Sequence, residues 1–213
     1  MTTILDFLPY YPSFEDDEQI YSKKEFNELK LSKNETKPTN QMYQKHQELL
    51  SKILSSYTLY DKLLLFHSPG TGKTGVAFAT SERILSEKFG INKVFVLTMS
   101  NDVLVNLKSQ LVNTYGKDKY IPKEREGEKT KKKITEKLLI ANGYNFMTFH
   151  TFAKEIKQSR DKKEEESLLN KYSNSVFILD EIHNIKQKID KKEENDMTLK
   201  KYNDIKFLLR NIK

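Results

Sequence analysis

The order of apolar and polar positions along this 213-residue chain predicts short strands that alternate with helices. Four runs are apolar almost throughout, at residues 62–66, 94–98, 146–149 and 175–179. Runs of this length without alternation indicate strands that are covered on both faces. Because segments with helical spacing separate the runs, we predict an α/β fold, with a mostly parallel sheet and helices on both faces.

The segments between and around these runs have apolar positions three or four residues apart, as helices do. The predicted helices lie at residues 41–56, 75–89, 101–111, 150–156 and within 186–213. Ser100 or Asn101 is suited to cap the third of them, since short polar side chains bond the free amides of a first turn. A charged tract at 116–137 predicts a loop that merges into an exposed helix, and one at 157–171 predicts a solvated segment.

The composition changes near residue 40 and predicts two parts. Residues 1–40 are aromatic and acidic at first and then polar and lysine-rich, without clear periodicity, which indicates an N-terminal extension. Residues 41–213 contain all of the predicted strands and helices, so we assign them to one α/β domain of ordinary size.

The overall composition excludes several classes of protein. The longest apolar runs are far shorter than the ~20 residues of a membrane span, so we expect no membrane partner. The absence of cysteine excludes disulfides and cysteine-based zinc sites, and it fits a cytoplasmic location. A net charge of +7 permits binding of DNA or RNA, although 37 basic and 30 acidic residues together make a mixed surface.

The eight residues that start at His67, His-Ser-Pro-Gly-Thr-Gly-Lys-Thr, have the composition of a phosphate-binding loop between a strand and a helix. Gly70 and Gly72 lack a Cβ atom, so their backbone can wrap closely around a polyphosphate. Lys73 supplies positive charge to the β- and γ-phosphates of ATP, and the Thr74 hydroxyl is suited to bind Mg²⁺. The predicted ligands of ATP and Mg²⁺ are Pro69, Gly70, Thr71, Gly72, Lys73 and Thr74. An ordinary turn with a surface lysine stays open, because His67 stands where the strict motif has glycine.

The last strong apolar run ends in two carboxylates, Asp180 and Glu181, and His183 follows two residues later. This is the Walker B arrangement, in which Asp180 holds the water shell of Mg²⁺ opposite Thr74 and Glu181 orients or deprotonates the attacking water. Ligands of open α/β sheets gather at the carboxyl ends of strands, so we predict one site shared with Lys73. For His183, coupling of the nucleotide to nucleic acid and a plain solvent-facing position are both open.

The sequences Gly-Thr-Gly-Lys-Thr at 70–74 and Asp-Glu-Ile-His at 180–183 resemble motifs I and II of the superfamily 2 DExH helicase-like ATPases. Over about residues 20–185, the chain resembles more closely the group from large DNA viruses. That group includes the poxvirus nucleoside triphosphatase, the poxvirus early transcription factor ATPase subunit and their asfarvirus and giant-virus relatives. Besides the two motifs, residues 26–29, 46–47, 54–67 and 144–152 carry this resemblance.

The resemblance implies a first RecA-like domain of a P-loop NTPase, and it assigns roles to further residues. Gln47 would recognise the edge of adenine, although a plain helix residue is an equal alternative. Thr98 and Asn101, like Thr148 and Thr151, lie where the family contacts the nucleic-acid backbone, which positions a strand without reading its sequence. Helix capping explains these four residues equally well.

Motors of this superfamily have two RecA-like domains, and the second supplies arginines that raise the hydrolysis rate by ~10³–10⁵. The 213 residues contain no such second domain or arginine motif, so we expect the isolated chain to bind Mg-ATP and to hydrolyse it poorly. The resemblance implies an ATP hydrolase that acts on DNA or RNA in viral transcription. Its implied partners are a second RecA-like domain or chain and RNA polymerase, in the host cytoplasm or the virion.

Two alternatives stay open at this point. A truncated homologue would bind nucleotide, or a polymerase partner, without useful turnover. A P-loop kinase or an AAA+ ATPase would share the phosphate loop. The Asp-Glu-Ile-His motif and the preceding His46–Gln47 pair fit helicases better than they fit the kinase or the AAA+ class.

Overall fold

The structure is a computed structural model that describes residues 42–55, 58, 60–66, 68, 70–87, 90–116, 118–122, 128–183 and 196–212, with the backbone alone at 128–130 and 196–202. The predicted N-terminal extension at residues 1–40 lies outside the described residues. The chain divides into two compact units, Met1–Phe89 and Gly90–Lys213.

The first unit contains two helices that pack against each other, α1 at Lys45–Ile53 and α2 at Lys73–Glu87. Both confirm predicted helices, although α2 begins two residues before the predicted start. The carbonyl of Gly72 accepts a hydrogen bond from the Val76 N–H at 3.2 Å, so helical bonding starts directly at the glycine loop. Val76 and Phe78 of α2 are buried.

The strand predicted at residues 62–66 is wrong, because this segment has no regular secondary structure. Leu64 and Phe66 are 83% and 95% exposed, whereas a covered strand would bury both. A strand forms only where neighbouring strands satisfy its backbone amides and carbonyls. In the described residues, the sheet consists of the other three predicted strands, which pair with one another. The apolar sequence of a segment does not specify which strand it pairs with. Of the predicted strand, loop and helix, the loop and the helix are present.

The second unit contains a parallel sheet, which in the described residues consists of β1 at Lys93–Thr98, β2 at Tyr144–Thr148 and β3 at Ser175–Leu179. The strand order is β2-β1-β3. Thr98 is the register partner of Thr148, and Leu97 is the partner of Leu179. The central position of β1 explains why it is buried almost throughout and has an unbroken apolar sequence. Three predicted strands and the α/β class are therefore confirmed.

In the described part of this unit, the α-helices are α3 at Asn101–Gln110, α4 at Glu128–Ala141, α5 at Phe149–Asp161, α6 at Glu165–Tyr172 and α7 at Asp196–Asn211, and a π-helical turn at Leu111–Tyr115 follows α3. The Ser100 side chain accepts a bond from the first turn of α3, which confirms the predicted cap. The tract at 157–171 is largely exposed, as predicted, yet it is mostly helical, and Leu168 within it is buried. None of the helices among the described residues has the length and apolar content that a membrane span requires.

Helices cover both faces of the sheet. On one face, Phe95 and Leu97 of β1 and Phe177 of β3 pack into a core with α5, α6 and α7. On the other face, the Lys108 ammonium of α3 lies 5.6 Å from the ring centre of Phe146 in β2. Residues of β1 alternate between these two faces, so an unbroken apolar strand serves both of them.

Candidate functional site

The loop that leads into α2 has the backbone conformation expected of a phosphate loop. Gly70 and Gly72 have φ angles of +79° and +83°, in the left-handed region that side chains disfavour. Lys73 and Thr74 are the first two residues of α2 and are half-buried. Backbone amides of a first helical turn lack helical partners, so this turn is suited to bind an anion. Pro69, which the sequence adds to this set, lies outside the described residues.

Two side chains of α1 bond the backbone of this loop. Gln47 Nε2 donates to the carbonyl oxygen of Gly72 at 3.1 Å, and Gln47 Oε1 accepts from the Gln44 N–H at 2.9 Å. His46 Nε2 lies 3.2 Å from the carbonyl oxygen of Thr71. Gln47 is only 4% exposed, so its amide is buried with both ends bonded to protein backbone. Two successive loop carbonyls are thereby held toward α1.

A second tie joins α1 to α2. Arg83 Nε donates to Ser51 Oγ at 3.2 Å, and Ser51 Oγ donates to the carbonyl oxygen of Glu48 at 2.8 Å. Ser51 is buried although it is polar. The sequence motifs do not indicate this pair. The available signal is that Ser51 stands four residues after Gln47, so both polar side chains lie on the buried side of α1.

The carboxyl ends of the three strands bring several other candidates to one edge of the sheet. Thr98 and Thr148 are register partners at the ends of β1 and β2. On the other side of β1, the Asp180 N–H donates to the carbonyl oxygen of Leu97 at 2.9 Å, one residue past the end of β3. Asp180 therefore lies beside the end of β1, at the edge where ligands of open α/β sheets bind.

The chain turns sharply after Asp180. Glu181 has a φ angle of +52°, a left-handed conformation that is uncommon for a residue with a side chain. His183 Nδ1 lies 3.3 Å from Glu181 Oε2, and both side chains are about half exposed. Outliers of this kind cluster at functional sites, which makes the Glu181 conformation a reason to test its role.

The four candidates for nucleic-acid contact differ in how their polar groups are used. Thr98 is 1% exposed, and its hydroxyl donates to the carbonyl oxygen of Ser100 at 2.9 Å. Thr148 Oγ1 accepts from the Thr151 N–H at 3.2 Å and caps α5. Asn101 and Thr151 are exposed. Of the four, Asn101 and Thr151 are better placed for a phosphate contact, while Thr98 and Thr148 bond the backbone of their own unit.

The predicted site residues fall into two sets. Lys73 and Thr74 belong to the first unit, and Asp180 and Glu181 belong to the second, so a site shared by these four stays a prediction. The described residues contain no cluster of three or more histidine, aspartate or glutamate side chains that would hold a metal ion alone. Magnesium does not require such a cluster, since it is usually bound by one or two carboxylates together with phosphates and water.

Known proteins resemble the chain over most of its length. The family described as "Type III restriction enzyme, res subunit" matches residues 21–211. "Putative helicase 087L" of Invertebrate iridescent virus 3 is 33% identical over 204 residues, which cover 85% of this chain and 19% of the relative. "Putative helicase 009L" of Frog virus 3 (isolate Goorha) is 34% identical over 142 residues, which cover 65% and 14%. The chain thus spans about a fifth or less of these curated relatives. No solved structure gives a significant match.

Proposed function

We propose that this chain, which belongs to the family of the type III restriction enzyme res subunit, is the ATP-binding first motor domain of a DExH-type, nucleic-acid-dependent ATPase. The phosphate loop is the observation that carries the proposal. A loop with two left-handed glycines, Gly70 and Gly72, leads directly into a helix whose first residues are a lysine and a threonine. Two viral relatives that bear the name helicase support the dependence on nucleic acid.

The residues present fit the ATP and Mg²⁺ that such a domain requires. In the proposed complex, the loop amides and Lys73 bind the triphosphate, while Thr74 and Asp180 hold Mg²⁺ together with phosphate oxygens and water. The start of α2 supports this fit, because Lys73 and Thr74 lie half-buried in a first helical turn whose amides lack helical partners and can bind an anion. The metal ion, when bound, neutralises negative charge on the phosphates.

In the proposed reaction, water attacks the terminal phosphate and the terminal P–O bond to the diphosphate breaks. Glu181 orients that water and accepts its proton. Lys73 stabilises the negative charge that the leaving diphosphate gains. His183, 3.3 Å from the Glu181 carboxylate, orients it and links it to the nucleic-acid side.

We place the nucleic acid at the carboxyl edge of the sheet in the second unit. The exposed side chains of Asn101 and Thr151 are proposed to bond phosphate oxygens, which positions a strand without reading its sequence. Thr98 and Thr148 support this edge, because their hydroxyls bond the backbone at the starts of α3 and α5.

Viral transcription is the proposed setting, and host cytoplasm or the virion is the proposed location. The support is the resemblance to the poxvirus group together with the viral origin of both relatives. Because the chain spans about a fifth or less of those relatives, the activity of the whole protein belongs to this proposal. A second RecA-like domain or chain that supplies rate-enhancing arginines, and RNA polymerase, are its proposed partners.

Lys73→Ala tests the nucleotide site. We expect Mg-ATP affinity to fall by about 100-fold, because the lysine makes charge-assisted bonds to phosphate that are worth about 1.5–3 kcal/mol each. Calorimetric titration of the full chain measures this affinity, and the unfolding temperature of the variant checks that it is folded. An unchanged affinity would remove the site.

Glu181→Gln separates binding from chemistry. We expect ATP affinity to stay unchanged and turnover to fall by about 10²–10⁴-fold, because glutamine cannot accept the proton of the attacking water. Phosphate release is measured with and without DNA or RNA. Stimulation that Glu181→Gln abolishes supports a motor domain. Binding without turnover in any condition instead supports the alternative of a nucleotide-binding interaction module.

A further inference from the structure

We propose that Gln47 and His46 are positioning residues for the phosphate loop, which hold two successive loop carbonyls so that the following amides face the phosphates. This inference rests on the proposed function, because it takes the loop as the triphosphate site. It differs from the role that the sequence resemblance implies, in which Gln47 recognises adenine.

The planarity of the peptide group connects these side chains to the phosphates. In a trans peptide, the carbonyl oxygen of one residue and the N–H of the next point in opposite directions, and the described residues have no cis peptide bond. His46 lies 3.2 Å from the Thr71 oxygen, and Gln47 bonds the Gly72 oxygen at 3.1 Å. The N–H groups of Gly72 and Lys73 therefore point away from α1. Consecutive amides directed to one side form a concave anion-binding nest.

The surroundings of Gln47 hold its amide in this role. The side chain is 4% exposed, and its Oε1 accepts from the Gln44 N–H at 2.9 Å, which fixes the amide plane. Its Nε2 donor shares the Gly72 oxygen with the Val76 N–H, which makes the first helical bond of α2 at 3.2 Å. The approach is close, since a Cβ atom on Gly72 would lie 2.5 Å from Gln47 Nε2. Gln47 thus bonds the atom at which the loop becomes the helix.

The helix that carries Gln47 is itself tied to α2. Ser51, one turn further along α1, accepts a hydrogen bond from Arg83 of α2 at 3.2 Å. Lys73 and Thr74 are on the same α2 helix. Two hydrogen bonds therefore join α1 to the segment formed by the loop and α2. The bond from Gln47 to Gly72 lies at the start of α2, and the bond from Arg83 to Ser51 lies further along it.

If Gln47 supports the loop in this way, its effect on ligand affinity does not depend on the nucleobase of the ligand. The loop amides bind the phosphates, which all three ligands share. Loss of Gln47 therefore lowers the affinities for ATP, GTP and inorganic triphosphate by the same factor. Adenine recognition predicts a different pattern, because the purine edges of ATP and GTP differ and inorganic triphosphate has no base. The ratio of the three affinities distinguishes loop support from adenine recognition. A general loss of stability would also weaken all three ligands equally, so a second variant of α1 is needed as a control.

The experiment measures the affinities of ATP, GTP and inorganic triphosphate, each with Mg²⁺, for the full chain and for Gln47→Ala. We expect a decrease of about five- to tenfold for all three ligands, the size that follows from one lost hydrogen bond. For His46→Ala, whose bond to the loop is exposed, we expect about a twofold decrease for all three. A loss confined to ATP, or no loss in Gln47→Ala, would overturn the proposal, and no loss in His46→Ala would overturn the part that concerns His46.

Two further variants separate the loop contact from the stability of α1. Gln47→Glu keeps the oxygen that accepts from Gln44 but places a carboxylate oxygen against the Gly72 carbonyl, so we expect a loss at least as large as in Gln47→Ala. Ser51→Ala removes the other tie of α1 but leaves both loop contacts in place, so we expect a clearly smaller loss than in Gln47→Ala. Wild-type affinities in Gln47→Glu, or an equal loss in Ser51→Ala, would refute the loop role. Lys73→Ala is the separate control: if it leaves all three affinities intact, the proposed function fails, whatever Gln47 does.

Discussion

Gly70 and Gly72 are equivalent in the sequence motif, but they differ in their surroundings. Both have left-handed φ angles, +79° and +83°. A Cβ atom on Gly70 would meet nothing within 4 Å, whereas one on Gly72 would lie 2.5 Å from Gln47 Nε2. Gly70 is needed for the backbone conformation alone. Gly72 is needed for the conformation and for the close approach of α1.

Alanine substitutions at these two glycines separate the two requirements. We expect Gly70→Ala to lower the free energy of unfolding by about 1–2 kcal/mol, through left-handed strain. Gly72→Ala carries the same strain and a further cost of about 1–3 kcal/mol, because the methyl group displaces Gln47. Urea unfolding of the two variants measures the difference. Equal destabilisation would contradict the close contact between Gly72 and Gln47.

Among the helices, α5 illustrates how one residue serves a helix and a candidate site. Thr148 ends β2, caps α5 by accepting from the Thr151 N–H, and lies beside Thr98 in the register of the sheet. The capping interpretation of Thr148 is therefore confirmed, while its contact with nucleic acid stays a proposal. The exposed Thr151 hydroxyl, 3.0 Å from Thr148 Oγ1, is the better candidate for that contact.

Substitutions at Thr148 and Thr151 separate capping from nucleic-acid binding. We expect Thr148→Ala to lower the free energy of unfolding by about 1 kcal/mol, because an orphan amide of α5 loses its partner. Thr148→Ser keeps the hydroxyl and is expected to be close to neutral. Thr151→Ala is expected to change stability little and to weaken DNA or RNA binding by about fivefold, through one lost phosphate contact. Chemical unfolding and a fluorescence binding titration measure these effects, and a neutral Thr148→Ala would argue against the cap.

The core of the second unit is organised around the buried ring of Tyr172. Its ring centre lies 4.7 Å from that of Phe95, 5.1 Å from that of Phe152 and 6.0 Å from that of Phe177. These contacts join α6 to β1, α5 and β3. Burial raises the pKa of the Tyr172 phenol above its ordinary value of 10.0, and the negative charge of Glu155 raises it further. The free energy of unfolding of this unit therefore depends on pH in the alkaline range.

The sign of this linkage follows from proton binding. Above pH 10 the Tyr172 phenol ionises in the unfolded chain but stays protonated in the folded unit. The folded state then binds more protons, so the free energy of unfolding falls as pH rises. The contribution of Tyr172 is fully present below pH 10. We expect Tyr172→Phe to lose less stability than the unchanged chain between about pH 9 and about pH 11, as measured by urea unfolding. Parallel pH dependence in both proteins would contradict this assignment.

The elements that the sequence predicts best are those whose evidence is local. β1 and β3 are unbroken apolar runs, and the Ser100 cap directly precedes its helix, so a few adjacent residues suffice to identify them. The wrong strand at 62–66 has an equally apolar sequence, because apolar character permits burial but does not supply a hydrogen-bonding partner.

For the candidate site, the sequence motifs identify the residues that carry the chemistry. They do not identify the residues that support the loop. The glycines, Lys73, Thr74 and the carboxylate pair are recognisable from residue type and spacing, and their positions at a helix start and at a strand end agree with that pattern. The bond from Gln47 to Gly72 joins residues 25 positions apart, and no local spacing encodes it. The left-handed conformation of Glu181 is equally hidden from the sequence.

The sequence alone therefore determines the local features of this protein. These are the segments that become helix or strand, the points where helices start, and the residues suited to bind phosphate or to supply a carboxylate. Folding in three dimensions decides which strands pair, that Thr98 meets Thr148, and that α1 braces the glycine loop. The physical reason is range. Backbone propensities and caps act over a few residues, whereas pairing, burial and side-chain bonds to distant backbone depend on parts of the chain that only meet when it folds.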